Sequence, residues 1–183
     1  MPMILSRKEI LKEAKKGNIV FKGFHKNSSL EKQTKNQSID VRFGRYLWIN
    51  NEKLVDLVEE GGYELKKGEF YIAHTDEFIG TKDCNIHPSF KLKSSAARNG
   101  MMHTLAAHGD INFFGSWAAE FTYELDKPMK IEYGMLFAQV YFLTATSHEN
   151  YVTQSGSYQN TNDLDELIKN WEPEDLLPKP LKI

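Results

Sequence analysis

Apolar residues recur along this chain with two spacings, and each spacing predicts a different element. Near the start Ile10, Leu11 and Ala14 follow one another at helical intervals. Ser6-Arg7-Lys8-Glu9 ahead of them has the hydroxyl-to-glutamate step of a capping box, and Gly17 supplies a stop, so a short helix opens the chain. The pattern then changes to short runs rich in β-branched and aromatic residues: 19–21, 39–43, 46–49, 69–73, 90–93, 117–125, 129–133 and 136–143. Turn residues separate most of them: Gly61-Gly62, Lys67-Gly68, His87-Pro88, Asp126-Lys127-Pro128 and Tyr133-Gly134. The polar, lysine-rich stretch from Ser28 to Gln37 reads as a loop. Many short strands with regular turns predict a mainly-β antiparallel sandwich or jelly roll. Helical spacing returns at the end, with Leu164, Leu167, Ile168 and Trp171 at i, i+3, i+4 and i+7 behind Asn162 or Asp163 as cap. The prolines at 173, 178 and 180 predict an extended tail from Glu172 to Ile183. The expected organisation is one β domain over 1–160, then a C-terminal helix and tail over 161–183.

Composition narrows the function. Lys plus Arg number 23 and Asp plus Glu number 25 over 183 residues, a net charge of −2 that lacks the basic excess of a nucleic-acid binder. No stretch approaches the roughly 18 apolar residues of a membrane span, and no signal-peptide-like run precedes the first helix, so the expected location is cytoplasmic. The single cysteine, Cys84, excludes a disulfide framework within the chain. It also excludes a zinc site that needs two thiolates, including the paired-cysteine site of the zinc deaminases. Six histidines are scattered with no pair at HExxH spacing, so a dedicated metal site is not expected.

Polar chemistry gathers in three places. Lys93-Ser94-Ser95-Ala96-Ala97-Arg98-Asn99-Gly100 places two hydroxyls and two cations within six residues, after a strand. It reads either as a phosphate-facing helical turn, capped by Ser94 or Ser95 and stopped by Gly100, or as a capped turn with solvated charges. His108-Gly109-Asp110-Ile111-Asn112-Phe113-Phe114-Gly115 is a turn dense in polar and aromatic groups. On the strand that follows, the two-residue period puts Trp117, Ala119, Phe121, Tyr123 and Leu125 on one face and Ala118, Glu120, Thr122 and Glu124 on the other. Glu120 between Ala118 and Thr122 has room for a ligand; its alternative is a solvated outward glutamate. In Ser38-Ile39-Asp40-Val41-Arg42-Phe43-Gly44, Ser38, Asp40 and Arg42 share a face, where Asp40 and Arg42 predict an outward ion pair.

In this order, these segments resemble the dCTP deaminase branch of the dUTPase-like family over about residues 3–160. Ser38–Gly44 is similar to the S-I-D-V-R-L-G strand, and Lys93–Gly100 to R-S-S-L-A-R-x-G. Asp110 through Phe113 to Gly115, with Glu120 five residues on, is similar to the I-D-x-G-aromatic-x-G motif and its catalytic glutamate. Gly134-Met135-Leu136-Phe137-Ala138-Gln139 is similar to G-M-x-I-A-Q, and Met3–Ser6 and Gly68–Phe70 also fit. Several positions depart. Lys93 stands for an arginine, Gly109 for an isoleucine and Asn112 for a glycine. The stretch between Gly100 and Asp110 is one residue short. Of the closing K-Y-x-x-Q-x-G-P segment, Ser157-Tyr158-Gln159-Asn160 keeps the tyrosine but lacks the lysine and the G-P.

The resemblance implies a distorted β-barrel or jelly-roll subunit, a homotrimer with sites between subunits, and hydrolytic deamination of dCTP to dUTP without zinc. Glu120 is then the general base and acid, and Ser94 with the carbonyl of Ala106 (or Ala107) holds the water. Arg98 positions Glu120 or stabilises developing charge. Ser95 and Lys93 contact phosphates carrying Mg²⁺, Asp110 the sugar hydroxyl or a water, and Phe113, Gln139 and Tyr158 lie near the nucleotide. Two other readings remain at this stage. One is a dUTPase or a bifunctional enzyme releasing dUMP and pyrophosphate, although Glu120 stands where a dUTPase does not normally carry a glutamate. The other is a catalytically silent nucleotide-binding trimer.

Overall fold

A computed structural model of the chain describes residues 3–104, 108–146 and 157–180. The first element is the expected helix α1 (Arg7–Lys15), capped reciprocally by Ser6 and Glu9, with Ile10 fully buried and Gly17 at φ +84° just past its end. The strands are β1 (Ile19–Lys22), β2 (Ser38–Ile49), β3 (Lys53–Asp56), β4 (Tyr63–Leu65), β5 (Phe70–Thr81), β6 (Ile86–Leu92), β7 (Met101–His103), β8 (Phe114–Tyr123), β9 (Met129–Ile131) and β10 (Leu136–Thr144). Three further helices are α2 (Leu30–Gln33), α3 (Ser94–Arg98) and α4 (Leu164–Asn170), and a 3₁₀ turn spans Pro173–Leu176.

The main sheet is antiparallel in the order β6-β10-β2-β5-β8-β7, with β1 added on β5 and β3 on β2, while β4 and β9 pair separately. A bridge from Ser89 to His108 links the β6 end of this path back to the segment before β8. The sheet therefore nearly closes on itself, giving the distorted barrel that the family resemblance implies rather than the open sandwich that the strand pattern also allowed. Its interior is filled by Ile39, Val41, Phe43, Phe121, Phe137 and Val140, with Phe43 and Phe137 stacked at 3.9 Å.

Several elements differ from the sequence expectation, each for a physical reason. The runs at 39–43 and 46–49 form one strand, β2, because a register shift between Phe43 and Leu47 bends the chain without breaking the ladder. His87-Pro88 is not a turn but lies inside β6. The Pro88 carbonyl accepts from the Gly109 amide, away from β10, so the donor that proline lacks would face the same edge and no β10 bond is lost. The expected loop at 28–37 contains α2, which tertiary bonds hold in place. Ser29 caps it, and the buried Gln33 side chain donates to the Asp40 carbonyl and to Glu77 Oε1, both at 2.7 Å. The segment after Glu172 is not wholly extended. Its 3₁₀ turn is tied down by Trp48 Nε1 donating to the Pro173 carbonyl at 2.9 Å, and Leu176 is buried beside Trp48 and Ile72.

Gly44 sits at the bend of β2, where a close approach requires a glycine. A Cβ there would sit 2.1 Å from the ring of His74 on β5. That imidazole is buried, accepts the Tyr46 amide through Nε2 at 3.1 Å, and approaches Ser116 Oγ through Nδ1 at 2.8 Å. Burial pushes its pKa down to about 4, so the ring is neutral. We expect Gly44→Ala to destabilise the fold by about 1–3 kcal/mol, the usual cost of forcing extra volume into a packed site. A melting temperature equal to that of the parent protein would show that the ring yields freely.

Candidate active site

The alternation expected on β8 is present through Tyr123. Trp117, Ala119, Phe121 and Tyr123 are buried in the core, whereas Ser116, Ala118, Glu120 and Thr122 face the other way and are part-buried. Leu125 lies beyond the strand end and is exposed. The second face is not left to solvent. Chain from the C-terminal segment covers part of it: Trp171 packs on the His74 ring at 4.7 Å, and Leu176 seals the Trp48–Ile72 patch. Between this cover and β8 lies a cavity of about 340 Å³ bordered by Glu120, Ala118, Asp110, Phe113, Tyr158 and Trp171. That volume is in the lower range of small-molecule sites.

Glu120 is the distinctive group in this cavity. Its Oε2 is buried and makes no hydrogen bond among the described residues. Burial raises its carboxyl pKa above the ordinary glutamate value. An unpaired carboxyl with a raised pKa, in a cavity lined by small and aromatic side chains, can take a proton from water and return it. Its backbone is held on the β7 side, where Thr104 donates to the Glu120 carbonyl through its amide at 2.9 Å and its hydroxyl at 3.2 Å.

The loop before β8 places Asp110 and Phe113. Asn112 takes φ +65°, a conformation that asparagine tolerates better than most side chains, which accounts for its standing where the motif has glycine. Its Oδ1 accepts from the Cys84 amide at 3.0 Å and its amide donates to Thr81 Oγ1 at 3.0 Å. Phe113 meets Trp117 edge-to-face at 5.3 Å. Gln159, which sequence reasoning passed over, anchors the returning chain. It is buried and accepts from the Phe114 amide at 2.9 Å, so its neighbour Tyr158 is held on the cavity wall.

The remaining candidates do not join this cavity. On α3, Ser94, Ser95 and Arg98 are exposed while Ala96 turns inward, and Arg98 has no ion-pair partner among the described residues. The cap of α3 is the backbone of Lys93, with no side-chain bond, rather than either serine; the serine hydroxyls are not spent on capping. Lys93 Nζ is 2.7 Å from Asp40 Oδ1, and Asp40 faces Gln139 across the β2–β10 ladder. Asp40 and Arg42 therefore form no outward pair. Asp40 is buried against Lys93, and Arg42 donates to the Gly134 carbonyl at 2.7 Å while its Nε lies 3.9 Å from Glu77 Oε1. Ala106 and Ala107 lie outside the described residues. One chain thus carries two clusters: an acidic, aromatic cavity without Lys or Arg among its described lining residues, and an exposed basic patch at α3.

Comparisons with known proteins show which family this chain is similar to. A sequence model of the dCTP deaminase-like family matches residues 4–145. A dUMP-forming dCTP deaminase of Methanosphaerula palustris is 30% identical over 139 residues, 67% of this chain and 74% of that protein. A protein of the same name from Methanoregula boonei is 30% identical over 128 residues, 62% of this chain and 69% of that protein. Among solved structures, the 2′-deoxycytidine 5′-triphosphate deaminase of Agrobacterium tumefaciens superposes with a TM-score of 0.63 at 17% identity, over 79% of this chain and 48% of that one. No helix among the described residues is long and apolar enough to cross a membrane.

Proposed function

Because the chain belongs to the dCTP deaminase-like family, we propose that it deaminates dCTP hydrolytically, with Glu120 as general base and then general acid. The observation that carries this reading is the buried, unpaired Glu120 carboxyl in a cavity sized for a base and sugar. Glu120 takes a proton from water as the oxygen adds to C4 of cytosine. It passes that proton to the ring nitrogen N3, then takes the proton of the new C4 hydroxyl and hands it to the amino group, which leaves as ammonia while the C4 carbonyl of uracil forms. Such acid–base help contributes roughly 10²–10⁴-fold. Asp110 holds the sugar hydroxyl or an ordered water, and Phe113 and Tyr158 flank the nucleotide.

The cavity holds carboxylates and no Lys or Arg among its described lining residues, so it is unsuited to a triphosphate. Lys93, Ser94, Ser95 and Arg98 have the right chemistry but sit elsewhere. This separation supports a homotrimer in which the α3 patch of one copy meets the Glu120 cavity of the next. Ser94 then orients the water with the Ala106 carbonyl, Arg98 steadies Glu120, and Ser95, Lys93 and Gln139 face the phosphate side. Among the described residues no three His, Cys, Asp or Glu side chains converge as a metal cage. The Mg²⁺ that the resemblance implies would be held by the substrate's phosphates and would neutralise part of their charge.

A second reading concerns the product. The two curated relatives are named for forming dUMP, and Asp110 shares the cavity with Glu120. On this reading dUTP formed at the site is hydrolysed onward to dUMP and pyrophosphate. Ammonia release from dCTP with Mg²⁺ tests the first reading: steady release is expected, and folded protein that binds dCTP yet releases none is a silent binder. Asp110→Asn tests the second, with dUTP expected to accumulate in place of dUMP; unchanged dUMP formation removes Asp110 from that step.

A further inference from the structure

A second cavity, about 450 Å³, opens between α2 and β2 and shares no lining residue with the Glu120 cavity. Its charged lining is Lys26, Lys32, Lys35, Arg42 and Asp40. The one carboxylate is already matched by Lys93 at 2.7 Å and Arg42 Nε lies 3.9 Å from Glu77 Oε1, so the three lysines are left in excess. Lys26, Lys32 and Lys35 have no ion-pair partner among the described residues, and the Lys35 ammonium is drawn to the α2 end by donating to the Lys32 carbonyl at 3.0 Å. Arg42 forms the floor. Its Nη1 and Nη2 are taken by the carbonyls of Gly134 and Asn27, while its buried Nε makes no hydrogen bond among the described residues and lies 3.9 Å from Glu77 Oε1. A concave site with this surplus of positive charge fits a compact polyanion.

Resting on the deaminase reading, we infer that this groove is a subsite for the polyphosphate chain of the nucleotide. Its wall residue Asp40 touches Lys93 and stands opposite Gln139 in the ladder, so the groove adjoins the residues assigned to the phosphate side. It also answers two departures of the sequence. The closing segment lacks its lysine, and Lys93 offers a point charge where an arginine would offer a fork. Three ammonium groups, on α2 and on the chain either side of it, supply the missing charge. Point charges on flexible stems attract phosphate without fixing its geometry, so binding here depends strongly on ionic strength.

The test is a Lys26→Gln, Lys32→Gln, Lys35→Gln triple variant, compared with Lys8→Gln, Lys15→Gln on α1 as a control for general charge. All five side chains are exposed, so both variants are expected to fold, and melting temperatures check this. For the triple variant the KM for dCTP is expected to rise about tenfold with kcat unchanged, the summed effect of three modest charge interactions. Inhibition by inorganic tripolyphosphate should weaken in the same proportion, and the control should show neither change. Parent turnover of dCTP with an unaltered KM and inhibition in the triple variant overturns the groove and leaves the deaminase reading standing. If the parent protein does not turn over dCTP, the deaminase reading fails, and calorimetric binding of tripolyphosphate decides the groove alone. Loss in the triple variant supports the groove, and equal binding overturns it.

Discussion

Glu120→Gln is expected to lower ammonia release from dCTP by at least about a thousandfold while leaving the protein folded. The amide keeps the shape of the side chain but can neither accept a proton from water nor return one. Folding should survive because Oε2 makes no hydrogen bond among the described residues that the amide would lose. The pH dependence follows from the raised carboxyl pKa. A carboxyl held above its unfolded value favours the folded state most fully when protonated, below the unfolded pKa. That contribution disappears as pH rises through the folded pKa, because the ionised form must then be buried. At neutral pH the variant, which carries no charge there, should melt at or above the parent temperature, with the advantage shrinking on acidification. Thermal melts over a pH series alongside an ammonia assay read both effects. Retained ammonia release removes Glu120 from the mechanism, and a lower melting temperature at neutral pH contradicts the uncompensated burial.

Mixing two inactive variants is expected to restore activity. Arg98→Ala removes an exposed α3 cation, and Glu120→Gln removes the base in the cavity; the two positions belong to separate clusters on one chain. If each site draws its cavity from one copy and its α3 patch from the next, a refolded equimolar mixture contains sites with both groups intact. Random assembly of a closed ring makes these about a quarter of the total. Activity should therefore rise from near zero to about a quarter of the parent value. A mixture as inactive as its components places the whole site on one chain and overturns the two-copy assembly.

The parts of this molecule legible in its sequence are those governed by local rules. The Ser6–Glu9 box and the alternation of β8 depend on neighbouring residues, and both are present. The order of short motifs also led to the family, because Glu120 and the α3 serines sit at fixed steps from glycines. What escaped was decided by tertiary contact. β5 continues from Ala73 through Thr75-Asp76-Glu77, a polar run that breaks any apolar pattern. It remains a strand because its side chains are satisfied inside. Asp76 accepts from the amides of Phe24 and His25 and from Tyr133, and Glu77 accepts from Gln33 and the Arg42 amide. The cover over Glu120 was equally hidden, since no spacing reveals that Trp171 packs on His74, a residue 97 positions earlier by 171 − 74. The α2 lysines read as a solvated loop because only the fold brings Arg42 beneath them.

The most direct test of the central claim is mass spectrometry of the nucleotide formed from dCTP in water enriched with heavy oxygen. Attack at C4 places one heavy oxygen on the pyrimidine ring, and the account expects that label on the uracil of the product in step with ammonia release. If dUTP is carried on to dUMP, a second heavy oxygen appears on a phosphate product. Intact cytosine, with label found only on phosphate, would contradict a deaminase and place the chemistry at the triphosphate instead.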